Sequence, residues 1–255
     1  MKIGPDTPVV VSGGASGLGA AVAKSFADIG VGVAILDMNA DLGAAYAKEI
    51  GAAFIQTDVS DSQSVAAALE TATAQNGVAR IAVNCAGIAP AAKTVSRGAA
   101  HDPAIFNKVI GVNLIGSFNL ASQSAALMAA ADPIGADGEK GVIVNTASVA
   151  AYEAQIGQIA YGASKGGVVG MTLPMARDLS QHGIRVCSIS PGMMKTAMMD
   201  GFPQEVQDSL AANIPYPSRL GHASEFAALV HHIAENSYLN GETIRLDGAT
   251  RMQPR

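Results

Sequence analysis

Short runs of β-branched and apolar residues recur along this chain, spaced far enough apart to hold a helix between each pair. Pro8–Ser12, Val31–Leu36, Ala52–Thr57, Ile81–Asn84, Val142–Thr146 and Arg185–Ser190 each read as a buried strand. Helical patterns lie between them, through Phe26, from Asp41, up to Asn76, from Ala104 to about Ala130 and over 158–181. An alternation repeated six or seven times is best satisfied by a parallel sheet covered on both faces, with right-handed crossovers. The chain has 255 residues, 49% of them apolar and 15% charged, and no linker or charge run divides it. The expected architecture is therefore one α/β domain over 1–255, a doubly wound sheet of about seven strands. Ala89–Pro103 and Ala131–Lys140 read as loops, and about 192–217 as a region placed to cover a substrate.

Ligands of such sheets sit beyond the carboxyl ends of the strands, and the chemistry-bearing residues collect there. The first strand leads into Gly13-Gly-Ala-Ser16-Gly17-Leu18-Gly19 and then a helix. Bare glycine backbone lets a pyrophosphate approach, and the helix N-terminus presents amide donors. A purely structural turn uses the same residues, and position after a first strand is what favours the nucleotide. This is the Rossmann-type arrangement. Asp37 ends the second strand, suited to hydrogen-bond both hydroxyls of an adenosine ribose and to repel a 2′-phosphate. Neither Ser16 nor Met38 supplies a cation for such a phosphate, so the reading is NAD rather than NADP. Asp58 stands at the end of the third strand, in place either to meet adenine or to form a turn. Asn84-Cys85-Ala86-Gly87 closes the fourth strand with small residues that again permit close approach.

Tyr161 and Lys165 are i and i+4 on a helix, so phenol and ammonium leave the same face about one turn apart. A phenol with pKa near ~10 is a poor base at neutral pH, and a neighbouring cation favours its phenolate. Ser148, at the end of the fifth strand, is placed to hydrogen-bond the same substrate oxygen. Asn113, polar among Val112, Leu114 and Ile115, needs a partner, either across helices or a water in a proton relay.

Other classes of function find little support. The formal charge of −5 provides no basic field for nucleic acid or anionic membrane. No apolar run reaches the ~18 residues of a membrane span, and Met1–Thr7 is too short and polar for a signal peptide, which points to the cytoplasm. Cys85 and Cys187 are expected as buried thiols rather than a disulfide. The five histidines show no metal-ligand spacing, and both His231 and His232 are expected to face solvent.

Taken together, Ser12 to Gly19, Asn84 to Gly87, Asn113, Ser148, Tyr161 with Lys165, and Pro191-Gly192 through Thr196 resemble the short-chain dehydrogenase/reductase family over essentially the whole chain. Ser12 stands where Thr is usual and Cys85 where a second Asn is usual. Within the family, the runs Val142–Tyr152, Tyr161–Asp178, Pro217–Gly221 and Leu239–Gly248 are most similar to the branch acting on 3-hydroxyacyl-CoA esters. The resemblance implies Tyr161 as the acid/base, Ser148 as orienter of the substrate oxygen, Lys165 on Tyr161 and the nicotinamide ribose, and Asn113 supporting a water. It places Ser16 and Leu18 on the pyrophosphate side, Asp37 at the ribose, Asp58 and Val59 at the adenine, Cys85 to Gly87 at the middle of NAD, and Met194 and Thr196 beside the nicotinamide. It also implies a homotetramer, in which the glycines and Pro174 of the Tyr161 helix would suit a subunit contact. Met193, Met194, Met198, Met199 and Phe202 form an apolar set fit either to cover an acyl chain or steroid or simply to pack. Carrier-protein 3-oxoacyl esters and other secondary alcohols remain alternative substrates, and a non-catalytic scaffold is the alternative of another class.

Overall fold

The computed structural model describes residues 1–134, 137–196 and 203–254. Seven strands form one parallel sheet: β1 (Val9–Ser12), β2 (Val33–Asp37), β3 (Ala53–Gln56), β4 (Ile81–Asn84), β7 (Gly141–Thr146), β8 (Ile184–Pro191) and β11 (Thr243–Leu246). Their spatial order is β11-β8-β7-β4-β1-β2-β3. The order reverses at β1, and the crevice beyond the β1 and β4 ends is the switch point where ligands of open α/β sheets bind.

Strand period 2 divides the core into two layers. Val9, Val11, Ile35, Val83, Val144 and Ile189 face one side and pack with Val22 and Phe26 of α1 (Gly17–Ala27) and Phe226, Val230 and Ile233 of α9 (Ala223–Glu235). Val10, Leu36, Ala82, Ile143 and Val186 face the other side, against Val65 and Leu69 of α3 (Ser62–Asn76), Leu120 and Met128 of α5 (Gly116–Ala130) and Ala176 of α7 (Ile159–Leu179). Burial on both faces explains why the strands read as continuous apolar runs rather than alternating ones. On the second face a polar row crosses the sheet near its carboxyl ends, with Ser12, Asn84, Asn145 and Ser188 in register. Asn84 Nδ2 donates to Asn145 Oδ1 at 2.8 Å and to the Ser117 carbonyl at 3.2 Å, so the strand ends are tied to one another and to α5.

Helix ends follow local chemistry. Asn39 and Asp61 accept from the amides of Leu42 and Gln63 at the starts of α2 (Ala40–Ile50) and α3, and left-handed Gly51 closes α2. Asp102 caps α4 (Pro103–Ile110), with Pro103 at its first position.

Four local features differ from the sequence reading. The stretch expected as a loop before Pro103 holds an antiparallel hairpin, β5 (Val95–Ser96) with β6 (Ala99–Ala100), turning at positive-φ Arg97 and Gly98. The helix from Ala104 to Ala130 is interrupted by a π-helical turn, Gly111–Ile115. The span Pro103–Ala130 is long and apolar enough to cross a membrane by length and composition, yet Leu120, Ala121 and Met128 are buried against the sheet. His231 is half-buried rather than exposed: its ring stacks on Phe26 with centroids 4.0 Å apart, and Nε2 lies 3.0 Å from Ser25 Oγ. Gly167 allows close approach within the chain itself, since a Cβ there would fall 2.6 Å from Leu114 of the π turn.

Candidate active site

A groove of about 540 Å³ runs along the carboxyl ends of the central strands. Its lining contains most of the residues singled out from the sequence: Gly13, Ser16, Leu18 and Gly19 at the glycine turn, Asp37, Asp58 and Val59 at one end, Cys85, Ala86 and Gly87 in the middle, and Thr196 at the edge. The glycine turn is built by contact as much as by conformation. Gly13 has φ +64°, and a Cβ there would lie 2.7 Å from the Ala86 backbone; a Cβ on Gly19 would lie 2.2 Å from the Gly13 carbonyl oxygen. The turn of β1, the loop after β4 and the start of α1 therefore touch backbone to backbone. Ser16 precedes α1 without capping it through its side chain. First-turn amides are thus left to a ligand, the usual condition for an anion site.

Asp37 is held where it can meet a ribose. Its Oδ2 accepts the Ala15 amide at 3.1 Å and its Oδ1 the Asn39 amide at 3.0 Å, leaving further lone pairs on both oxygens. Asp58 Oδ1 accepts from both the Ser60 amide, 2.9 Å, and the Ser60 hydroxyl, 2.6 Å, so it is a turn-former that also lines the groove. Leu36, Met38, Thr57, Ile88, Lys108 and Val112 line the groove as well, none of them a site residue by the sequence. Lys108 is a cation that the choice of NAD over NADP did not count.

The groove leads to Lys165. A Cβ on Gly87 would lie 3.8 Å from Lys165 Nζ. That ammonium donates to the Thr146 carbonyl at the end of β7, 2.6 Å away, and sits 5.7 Å from the centre of the Tyr161 ring. Lys165 is only 4% exposed, and burial lowers its pKa to about 8. Burial also pushes the Tyr161 phenol above its ordinary value, and the hydroxyl of neighbouring Ser148 partly reverses that shift. This differs from the expectation that Lys165 would dominate Tyr161: in this arrangement desolvation does, so the phenol holds its proton at neutral pH. Ser148, buried, also accepts the Ala150 amide on its Oγ at 3.1 Å. Cys85 Sγ receives the Thr146 hydroxyl at 3.6 Å, and burial lifts its pKa to about 11, making it an inert wall of the groove. Both cysteines are free thiols.

Asn113 finds its partners within the protein. Its Nδ2 donates to the Ile88 carbonyl at 2.9 Å and to Ser164 Oγ at 3.0 Å, and its Oδ1 accepts the Ile88 amide at 2.8 Å. The π turn carries this side chain, fully buried, into the seam between the loop after β4 and α7. Asn113, Ser148, Tyr161, Lys165, Pro191, Gly192 and Met194 are not in the groove lining. Pro191 accepts the Val149 amide beside Ser148, and a Cβ on Gly192 would meet Asp247 at 2.8 Å. Met194 is buried in a short strand, β9 (Met194–Lys195), paired with β10 (Gly221–His222). Met198, Met199 and Phe202 lie outside the described residues.

Residues 7–207 match the family model described as short chain dehydrogenase. The chain belongs to the short-chain dehydrogenase family. It is 51% identical over 249 residues to the 3-hydroxyacyl-CoA dehydrogenase type-2 of Drosophila melanogaster, covering 96% of this chain and 97% of that one. It is 49% identical to the Homo sapiens protein of the same name, over 96% and 95% of the two chains. The solved structure of 3-hydroxyacyl-CoA dehydrogenase type-2 from Mycobacterium avium superposes with a TM-score of 0.94 at 45% identity, each chain fully covered. A 3-oxoacyl-[acyl-carrier protein] reductase from Brucella melitensis ATCC 23457 superposes less closely, with a TM-score of 0.84 at 29% identity, over 98% of this chain and 94% of that one. A dehydrogenase of this family uses a nicotinamide cofactor, and the open first-turn amides, the bare glycine turn and Asp37 at the groove end fit one.

Proposed function

We propose that this protein is an NAD-dependent 3-hydroxyacyl-CoA dehydrogenase, interconverting a 3-hydroxyacyl-CoA and the 3-oxoacyl-CoA. The reading is carried by the convergence of Tyr161, Ser148 and Lys165, with the Lys165 ammonium beside Gly87 of the groove wall, in a chain about half identical to enzymes of that name over nearly its full length. A nicotinamide held in the groove by the glycine turn and Asp37 would supply the hydride for reduction and accept it in oxidation. Tyr161, protonated at neutral pH, donates its proton to the substrate carbonyl oxygen in reduction and must first lose it to act as base in oxidation. Ser148 hydrogen-bonds the same oxygen. Lys165, anchored on Thr146, holds the nicotinamide ribose and lends positive charge beside the phenol. Asn113 joins Ile88 to Ser164, whose hydroxyl donates to the Tyr161 carbonyl, and so sets the seam between groove wall and catalytic helix. We assign a homotetramer to the same reading, on the apolar Phe118 and Leu173 that α5 and α7 leave about half exposed.

NAD rather than NADP follows from Asp37. Asp37→Ala removes a carboxylate that makes charged hydrogen bonds to the ribose, each worth about 1.5–3 kcal/mol. NADH binding, followed by nicotinamide fluorescence, is expected to weaken by about one to two orders of magnitude, with discrimination against NADPH reduced. Unchanged NADH affinity would remove Asp37 from the ribose site. A carrier-protein reductase predicts the opposite cofactor preference and a preference for carrier-protein esters over CoA esters, so both cofactors and both esters belong in the assay.

A further inference from the structure

The segment between Ser148 and Tyr161 is held from the far end of the chain. After Ser148 the backbone forms one short helical turn, α6 (Ala150–Glu153), whose start is tied to the Ser148 hydroxyl through the Ala150 amide. The turn lies tightly on α7 one residue beyond Tyr161: a Cβ on Gly162 would fall 2.8 Å from Ala154 and 3.2 Å from the Ala150 carbonyl. Thus α6 is the spacer between the two side chains that meet the substrate oxygen. Four residues of helix do not hold a shape unaided.

What holds α6 is Glu153, gripped by the C-terminal segment. Its carboxylate receives Arg245 Nη1 at 3.0 Å and Nη2 at 3.3 Å, the Met252 amide at 2.9 Å, and Arg251 Nε at 3.4 Å. Arg245 is braced in turn by Asp247 at 2.7 Å and the Thr250 carbonyl at 3.0 Å, and it lies over the Tyr152 ring. Just past α6, Gln155 Nε2 donates to the Gln253 carbonyl and the Ile156 amide to the Pro254 carbonyl. An isolated surface ion pair contributes little; this one is a half-buried, bidentate network closed by backbone bonds.

We infer that Glu153 is a positioning residue for the Ser148–Tyr161 pair, acting through α6, and that the segment Arg245–Pro254 is the clasp that holds it in place. The inference rests on the proton-transfer roles proposed above for those two side chains. Loosening the clasp lets α6 shift and carries Ser148 away from the phenol. Placement errors of about 1 Å cost up to ~10²-fold in rate.

The test uses Glu153→Gln, which keeps size and removes charge, with Arg245→Lys as a milder second variant. In both, kcat is expected to fall between about tenfold and a hundredfold while NADH affinity stays at the wild-type value. Tyr161 is expected to titrate at higher pH than in the wild type, because Ser148 is the neighbour that draws its pKa down. The titratable neighbours of Tyr161, the Lys165 ammonium and beyond it the neutral Cys85 thiol, are untouched by either substitution. The titration is read from phenolate absorbance against the same variants carrying Tyr161→Phe, and it needs no substrate. Wild-type kcat and an unmoved Tyr161 titration in both variants would overturn the inference, as would a rate loss matched by an equal loss of NADH affinity. The wild-type rate on acetoacetyl-CoA, measured in the same series, tests the substrate reading separately.

Discussion

Tyr161→Phe is expected to lower kcat for ketone reduction by about 10²–10⁴-fold and to leave NADH affinity unchanged. The ring remains against Lys165, so α7 keeps its packing and only the transferable proton is lost. Because burial holds the phenol above its ordinary pKa, the wild-type enzyme works most readily as a proton donor near neutrality. Its oxidation rate is expected to climb with pH as Tyr161 becomes phenolate, and the variant should lack that climb. Steady-state rates in both directions, beside an NADH titration, check the three statements together. A variant with wild-type kcat would assign the proton to another group.

The largest effect on stability is expected far from the groove, at Arg185. This side chain leaves β8 and is buried, with its guanidinium on Glu139 at 2.7 Å and on the carbonyls of Ile233, Ala234, Asn236 and Leu239 at 2.7–3.2 Å. It closes the C-terminal end of α9, where helix carbonyls lack internal partners. Glu139, itself 7% exposed, has the Met1 amino group as its other cation. Arg185→Met would leave the Ile233 and Leu239 carbonyls and part of a buried carboxylate charge uncompensated, while Ala234 keeps the Met1 amino group and Asn236 the Leu239 amide, a loss of about 3–5 kcal/mol. For a chain of this size each kcal/mol moves Tm by about 2–4 °C, so thermal and urea unfolding should separate the variant clearly from the wild type. A Tm within a degree or so of the wild type would mean that water replaces the arginine at little cost.

The elements that carry the nucleotide groove were legible because each depends on local rules. A glycine turn after a first strand, an acidic residue at the next strand's end and small residues after the fourth are enforced by backbone approach to a ligand, and all line one groove in the structure. Other features depend on which face of an element meets which neighbour. Lys108 and Val112 enter the groove because α4 and the π turn are rolled toward it, and an i, i+4 pair on a mixed helix carries no sign of that. The π turn itself has no sequence mark beyond a polar Asn113 in apolar surroundings, the one signal that its buried amide required partners. Met194 was placed by position along the family pattern; in the structure its side chain turns into the core below Gly221. Likewise the balance on Tyr161 depends on its depth of burial, which the i, i+4 spacing to Lys165 does not contain. The Glu153 clasp joins residues 92 positions apart, beyond any local pattern.

The account stands most directly on one rate, the oxidation of NADH by acetoacetyl-CoA, followed at the absorbance band of the reduced nicotinamide, with NADPH and a 3-oxoacyl carrier-protein ester as parallel arms. Rapid turnover with NADH and the CoA ester, exceeding both parallel arms, is the predicted result. Binding of NADH without turnover of the CoA ester, or faster reduction of the carrier-protein ester with NADPH, would contradict it.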